Sequence, residues 1–395
     1  MAETKRTKPI YLDNHATTPV DPRVIELMVP YFGEKFGNPH SSSHYYGWET
    51  AEAIEIAREQ VAEMIGANAD EIFFTSGATE ANNTAIKGVA RFYAEHRNHI
   101  VTCVTEHMCV LDSAFQLEKE GFNVTYLHVD ADGLLDLDEL RDAITDQTIL
   151  VSIMTVQNEI GTIQPMFEIG AICRERKVFL HTDAAQAIGK IPVDVKEMKI
   201  DLLSLTAHKI YGPMGIGAIY VGKKPRVRLV PMFNGGGQEK GLRSGTLPPA
   251  LCVGLGHALK IAREEMKGEA IRLKSQRDRI WQSLVRELSG LHLNGSFDQR
   301  VPGNLNISVD GSDAESLIAV LPDLAISSGS ACTSASEESS HVLKAIGLCN
   351  ELAEASIRIG LGRFNTDEEV GFATGRLIEA ITEVRNGGRS IAAVG

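Results

Sequence analysis

The sequence predicts an α/β protein built on a mostly parallel, seven-stranded sheet with helices on both faces, followed by a smaller α+β region. Three observations lead there. Strand-length apolar runs alternate with helix-period segments between residues 71 and 205. The runs are apolar along their length, as strands buried on both faces must be. The chain has 395 residues, 43% of them hydrophobic, enough for large cores in about two domains.

In order, residues 10–18 read as a short strand running into a polar turn. Asp21 followed by Pro22 opens a helix to about Phe32, since aspartate caps well and proline tolerates the first helical position. Residues 33–43 form a loop, and a second helix runs to Ile65, closed by Gly66. Strands are then predicted at 71–75, 99–104, 123–129, 148–156, 178–181 and 201–205, with helices at 79–96, 110–120 and 167–176 between them. The run 217–222 follows too closely for a crossover helix, so it is expected antiparallel to its predecessor. Beyond Pro249 a long helix reaches about Leu288 and connects to a second domain. There, strands at 304–309 and 356–360 flank a small-residue loop, 327–340, and Thr366 with Glu369 forms the capping box of a last helix. The expected division is a large domain, 17–265, and a small domain made of 1–16 and 266–395. The final ten residues are expected to be loosely held.

Composition excludes several classes. A net charge of −13 does not suit nucleic acid or an anionic membrane. The N-terminus is polar and lacks the apolar core of a secretory signal. The six cysteines (103, 109, 173, 252, 332, 349) are scattered, which points to reduced thiols and a cytoplasmic protein. Neither the Cys103, His107, Cys109 cluster nor the His40, His44 pair has the second ligand pair of a zinc site, so no resident metal is expected.

Polar residues collect just beyond the ends of the predicted strands: Ser76 to Thr79, Glu106 and His107, Asn158 and Glu159, Asp183 with Gln186, and Thr206 to Lys209. In open α/β sheets ligands bind outside the carboxyl ends of the strands, so these clusters form one candidate site. Lys209, between a buried strand and glycine turns, can act as an amine nucleophile. Asp183 follows an apolar run and needs a cationic partner, for which a pyridinium nitrogen would serve. The Ser76–Thr79 turn can hold a phosphate on backbone N–H groups. Plainer readings of the same residues stand beside these: a loop lysine, a helix-capping aspartate, a structural turn, and a His107 that is merely hydrogen-bonded. Alternation in 356–360 sets Arg358 opposite Ile357 and Ile359, as a carboxylate ligand or an ordinary surface arginine.

Taken together and in this order, Tyr11-Leu-Asp, Ala16-Thr-Thr-Pro, Phe74-Thr-Ser-Gly-Ala-Thr-Glu, Thr105-Glu-His, Asn158-Glu-Ile-Gly, His208-Lys-Ile-Tyr-Gly-Pro, Arg243-Ser-Gly-Thr and Ser327-Ser-Gly-Ser-Ala-Cys-Thr-Ser span nearly the whole chain. The set resembles the class V, fold-type I pyridoxal phosphate family, and within it the cysteine desulfurases of the IscS/NifS type. The resemblance implies pyridoxal 5'-phosphate joined to Lys209 as an aldimine, with Asp183 on the pyridine nitrogen and His107 over the ring. It implies that Ala78, Thr79, Thr206 and His208 hold the phosphate, that Gln186 bonds the ring hydroxyl, and that Asn158 and Arg358 hold the substrate carboxylate. It also implies a homodimer in which Thr246 reaches the partner's phosphate.

Cys332 separates the members of the family. It lies in a small, polar, glycine-containing stretch, whereas the other five cysteines lie in or beside apolar patterns and read as buried thiols. A thiol on such a tether can take sulfur from a ligand at the cofactor and carry it outward. The implied activity is removal of sulfur from L-cysteine, giving L-alanine and a persulfide on Cys332, with Lys209 moving the Cα proton. The sulfur would pass to an iron–sulfur scaffold or another acceptor, for cluster assembly, other sulfur-containing cofactors or tRNA thio-modification, and Cys332 would touch a scaffold-bound cluster only transiently. The rival readings are a selenocysteine lyase or class V aminotransferase on the same scaffold, and a non-catalytic sulfur-relay partner. The intact Lys209, Asp183 and His107 set argues against the last.

Overall fold

In the computed structural model, which describes residues 8–328 and 339–387, β1 (Ile10–Tyr11) precedes α1 (Pro22–Met28). Asp21 caps α1 as its side chain accepts the Arg23 N–H at 3.0 Å. A single 3₁₀ turn extends α1 to Phe32, and α2 (Tyr45–Met64) follows the loop. The alternating section comprises β2 (Ile72–Thr75), α3 (Ala78–Tyr93), β3 (His99–Cys103), α4 (Met108–Lys119), β4 (Asn123–Leu127) and α5 (Leu137–Ala143). It continues through β5 (Thr148–Ser152), α6 (Met166–Arg176), β6 (Phe179–Asp183), β7 (Leu202–Thr206) and β8 (Gly217–Val221).

These seven strands form one sheet in the order β2-β8-β7-β6-β5-β3-β4. Only β8 runs against the others, pairing antiparallel with both β7 and β2. The sequence reading of a mostly parallel, seven-stranded sheet therefore holds, including the reversed strand after the short glycine connection. Strand ends differ by a few residues. The run predicted at 148–156 is regular only to Ser152, although Ile153 and Thr155 still donate to the His181 and Asp183 carbonyls. The strand predicted to stop at His181 continues to Asp183, so that carboxylate sits on the last residue of β6.

Both faces of the sheet are apolar, as a doubly covered sheet requires. Val101, Val151, Leu180 and Leu203 pack on one side with Val61 of α2 and Ile169 and Ile172 of α6. Ile100, Leu150 and Leu202 pack on the other with Ala85, Ile86 and Val89 of α3 and Val110 and Leu117 of α4. Each such side chain, fully buried, contributes about 1.5–3 kcal/mol. Because six strands point the same way, the segments after Thr75, Cys103, Ser152, Asp183 and Thr206 all emerge at one edge.

A single helix, α7 (Pro249–Glu287), joins this sheet to a second core. Its 39 residues span about 60 Å at 1.5 Å each. Leu255 and Leu259 belong to the first core, while Leu273, Ile280 and Leu284 belong to the second. The second unit contains β9 (Leu291–Leu293), β10 (Asn304–Val309), α8 (Ala314–Ala319), β11 (Leu324–Ala325) and β12 (Ser327–Ser328). Then come α9 (His341–Ala345), α10 (Asn350–Glu354), β13 (Ser356–Gly360) and α11 (Asp367–Arg385), which starts with the Thr366/Glu369 capping box. Strands β12, β13, β10 and β9 form an antiparallel sheet, and β1 pairs with β11. Ile10 and Leu12 from the beginning of the chain join this second core. Among the described residues, no helix is long and apolar enough to cross a membrane.

Candidate active site

At the carboxyl edge of the large sheet lies a cleft of about 600 Å³. Ala78, Thr79, His107, Asn158, Asp183, Gln186, Thr206, His208, Lys209 and Arg358 all line it. One predicted residue does not. Thr246 is exposed and outside the cleft of its own chain. Cys332 lies outside the described residues.

The floor is built from strand ends. Gly217 lets β8 approach the start of α3, since a Cβ there would fall 2.8 Å from the Gly77 Cα. Helix α3 begins at Ala78 without a side-chain cap. The N–H groups of its first turn and the positive end of its dipole are therefore oriented for an anion. Glu80 accepts the Ser76 N–H at 2.9 Å and holds Arg243 at 2.9 Å, which anchors the segment leading to Thr246 beside the cleft. His208 approaches the hydroxyl of Thr17 with Nδ1 at 3.1 Å. Burial and the nearby Lys209 and Lys190 bring its imidazole down to about 4, so it is neutral near pH 7.

Lys209 ends the 3₁₀ turn that follows β7, and its Nζ donates to the carbonyls of His15 at 2.6 Å and Ala16 at 2.7 Å. Asp183 accepts the Ala185 N–H on one oxygen at 2.9 Å and Asn82 Nδ2 on the other at 2.6 Å. The first bond is the local turn allowed for by the plainer reading, and no helix follows. His107 caps α4, its Nδ1 accepting the Cys109 N–H at 3.2 Å. Gln186 is clamped: His15 O accepts its Nε2 at 2.8 Å, while Lys190 donates to its Oε1 at 2.6 Å. The Lys190 amine is enclosed, and burial, with Lys209 and Arg358 next in order, depresses its protonation strongly.

Arg358 comes from the second sheet. It is 1% exposed, donates to Asp13 Oδ1 at 2.9 Å and to the Asn158 carbonyl at 3.0 Å, and its Nε has no partner among the described residues. A buried guanidinium that lines the cleft and keeps an unused donor fits a carboxylate ligand. Two further carboxyls flank the cleft. Glu106 is raised well above its usual range by burial. Glu159 is raised to about 7, again chiefly by burial, and accepts the Ser340 hydroxyl at 2.5 Å. Among the described residues, no group of three or more His, Cys, Asp or Glu is placed to hold a metal ion.

This donor set fits a pyridoxal phosphate on chemical grounds. There is an amine for its aldehyde, an uncapped helix start for its phosphate, and a carboxylate for its ring nitrogen. Sequence reading missed Asn82 and Cys109. Asn82 was detectable in principle, being a polar residue on the buried stripe Ala81, Ala85, Ile86 and Val89 of α3. The expectation that five cysteines are buried needs correction. Cys103, Cys173 and Cys252 are buried, but Cys109 is half-buried in the cleft and Cys349 is exposed at the start of α10. Both exceptions sit at helix starts, where apolar neighbours in sequence do not enclose the side chain.

Residues 10–372 match the aminotransferase class-V family, to which this chain belongs. Among relatives, it is similar to cysteine desulfurase IscS of Rickettsia massiliae, with 56% identity over 381 residues, covering 96% of this chain and 93% of that one. A solved NifS-like protein superposes with a TM-score of 0.88 at 37% identity, covering 95% of this chain and 99% of the other. A solved structure of SspA in complex with cysteine is 40% identical with a TM-score of 0.81, covering 90% of this chain and 99% of the other.

Proposed function

We propose that the chain is a pyridoxal phosphate-dependent cysteine desulfurase, taking sulfur from L-cysteine, releasing L-alanine and leaving a persulfide on Cys332. The observation that carries this reading is one cleft that joins Lys209 and Asp183 to a buried Arg358 with a spare donor. Bound at Lys209, the cofactor supplies the electron sink that makes the substrate's Cα–H acidic. Arg358 and Asn158 orient the substrate carboxylate, and the Lys209 amine, once freed, takes the Cα proton. Asp183 would balance the positive charge of the ring nitrogen, and Gln186, kept from turning by His15 and Lys190, would donate to the ring hydroxyl. Ala78, Thr79, Thr206 and His208 hold the phosphate. His107 would face the ring and move protons there. The Cys332 thiolate attacks the substrate sulfur, the Cβ–S bond breaks with its electron pair left on carbon, and protons taken up at Cβ and Cα complete alanine. From Cys332 the sulfur goes to an iron–sulfur scaffold or another acceptor protein.

The working unit is a homodimer in a cytoplasmic setting. Val29, Phe32, Phe36, Tyr45, Tyr46, Trp48 and Ile56 are large apolar side chains exposed within one short stretch, more than an isolated chain ordinarily shows. Thr246, exposed at the end of an anchored segment, is available to a second copy. A monomer by sedimentation at micromolar concentration would overturn the dimer.

The decisive assay gives the purified holoenzyme L-cysteine and measures alanine and the mass of the Cys332 peptide. Equal alanine and persulfide in a single turnover is the expected result. Full-rate sulfur release by Cys332→Ser protein would sink the role of that thiol. Transamination of an added 2-oxo acid without persulfide would point to an aminotransferase.

A further inference from the structure

The cleft contains a thiol that the reaction above does not use. Cys109 is the second residue of α4, and its Sγ lies 3.1 Å from Nδ1 of His107, the same nitrogen that accepts the Cys109 backbone N–H. On its other side, Sγ accepts Asn82 Nδ2 at 3.2 Å, and that amide group also donates to Asp183 Oδ2 at 2.6 Å. Asn82 is fully buried, and its Oδ1 has no partner among the described residues. Turning the amide over would aim that oxygen at the carboxylate, so the order of donors is set by Asp183. Because Nδ1 already accepts an N–H, it presents a lone pair, and the Cys109 S–H is its second donor. Protonating Nδ1 would set its own N–H against the Cys109 backbone N–H. The ring proton therefore belongs on Nε2.

We propose that Cys109 is a positioning residue for His107: through Asn82 it ties the imidazole to Asp183 and holds the ring as its neutral Nε2–H tautomer. The proposal rests on the reading of His107 as the ring that faces the cofactor. It ties groups beyond two different strands, β3 and β6, through two neighbouring helices: Cys109 on α4, which packs against β3, and Asn82 on α3, which packs against β6. Among the described residues, Glu106, Glu159 and His341 are titratable groups whose protonation is linked to that of His107. Burial raises both carboxyls, so neither supplies a full opposing charge that would draw a second proton onto the ring.

The test uses holoenzyme carrying ¹⁵N-labelled histidine, as wild type, Cys109→Ala and Cys109→Ser, with His107→Gln to assign the signal. Wild type is expected to show one tautomer, Nε2–H. Cys109→Ala keeps the backbone N–H on Nδ1 and with it the tautomer, but loss of the thiol donor is expected to raise the titration midpoint by about one unit. The same variant should lower kcat for alanine formation about three- to ten-fold, the scale of one hydrogen bond, and move the acid limb of the pH profile upward. Cys109→Ser, which keeps a donor, should restore most of both. An unchanged titration midpoint and pH profile in Cys109→Ala would overturn the proposal, even with a lowered Tm, because that is the signature of a space-filling thiol. So would an imidazolium paired with thiolate ultraviolet absorbance in the wild type. A wild type with the expected tautomer but no alanine from L-cysteine would instead break the functional reading and leave this one standing.

Discussion

The two sheets place their polar residues by opposite rules. In the large sheet the strand faces are mostly apolar, apart from a buried Ser152, His181 and Ser204 chain of hydrogen bonds, and the cleft's chemistry appears where the strands end, at Ser76, His107, Asp183 and Lys209. In the small sheet chemistry lies on a strand face. Leu305, Ile307 and Val309 of β10 point into the second core, while Asn304, Asn306 and Ser308 are buried on the other face. There Asn294 donates to Asn306 at 2.8 Å and to Ser308 at 2.9 Å, and Asn304 and Asn306 donate to the Glu159 carbonyl at 3.0 and 3.2 Å. Arg358, paired in register with Asn306, belongs to this polar face. A strand end can lose its polar side chain without disturbing the sheet, whereas a buried polar face cannot, because each lost partner leaves another group unsatisfied.

That contrast predicts a graded set of outcomes. Lys209→Ala should show the largest effect on activity, at least about 10³-fold in alanine formation, with little change in unfolding free energy. Arg358→Ala should damage both properties. The KM for L-cysteine should rise about 10²-fold, and denaturant unfolding should show a loss of about 2–4 kcal/mol because Asp13 keeps its charge beside an empty site. If Arg358→Ala unfolds like wild type, the claim that the small sheet couples binding to packing fails. Asn306→Ala should cost about 1–3 kcal/mol in the same measurement while leaving KM within a few-fold.

Glu159→Gln should have the smallest effect, visible as a slope. Its carboxyl is raised from 4.5 to about 7, so the folded protein keeps a proton that the unfolded chain has released. Its contribution to stability is complete below about pH 4.5 and is lost as pH rises toward 7. Glutamine removes that linkage and can still accept from Ser340. The fall in Tm across this window should therefore become shallower, though not flat, since Glu106 contributes with the same sign. An unchanged slope would mean that Glu159 ionises in the fold as it does in the unfolded chain.

The strand-end half of the site was legible because it follows from one-dimensional pattern. An apolar run that stops at Asp183 or Thr206 marks both a strand and the place where its last side chains emerge. The reversed strand β8 was legible from loop length alone. The strand-face half was less so. Alternation in 356–360 placed Arg358 on one face, but it could not show that this face is enclosed by Asn158, Asp13 and the β10 polar ladder. Asn82, Lys190 and Cys109 were missed for a related reason: each gains its meaning from a partner on another element, and nothing near it in sequence names that partner.

Local sequence by itself thus determined the alternating elements, the direction of the strands and the row of polar residues at one edge of the sheet, since each depends on neighbours a few residues away. Only the tertiary structure decided which nitrogen of His107 is engaged, that a thiol lies between it and Asp183, and that a fully enclosed Arg358 reaches the cleft from the second unit. Those are outcomes of packing between segments tens to hundreds of residues apart, where small displacements decide whether a hydrogen bond exists at all.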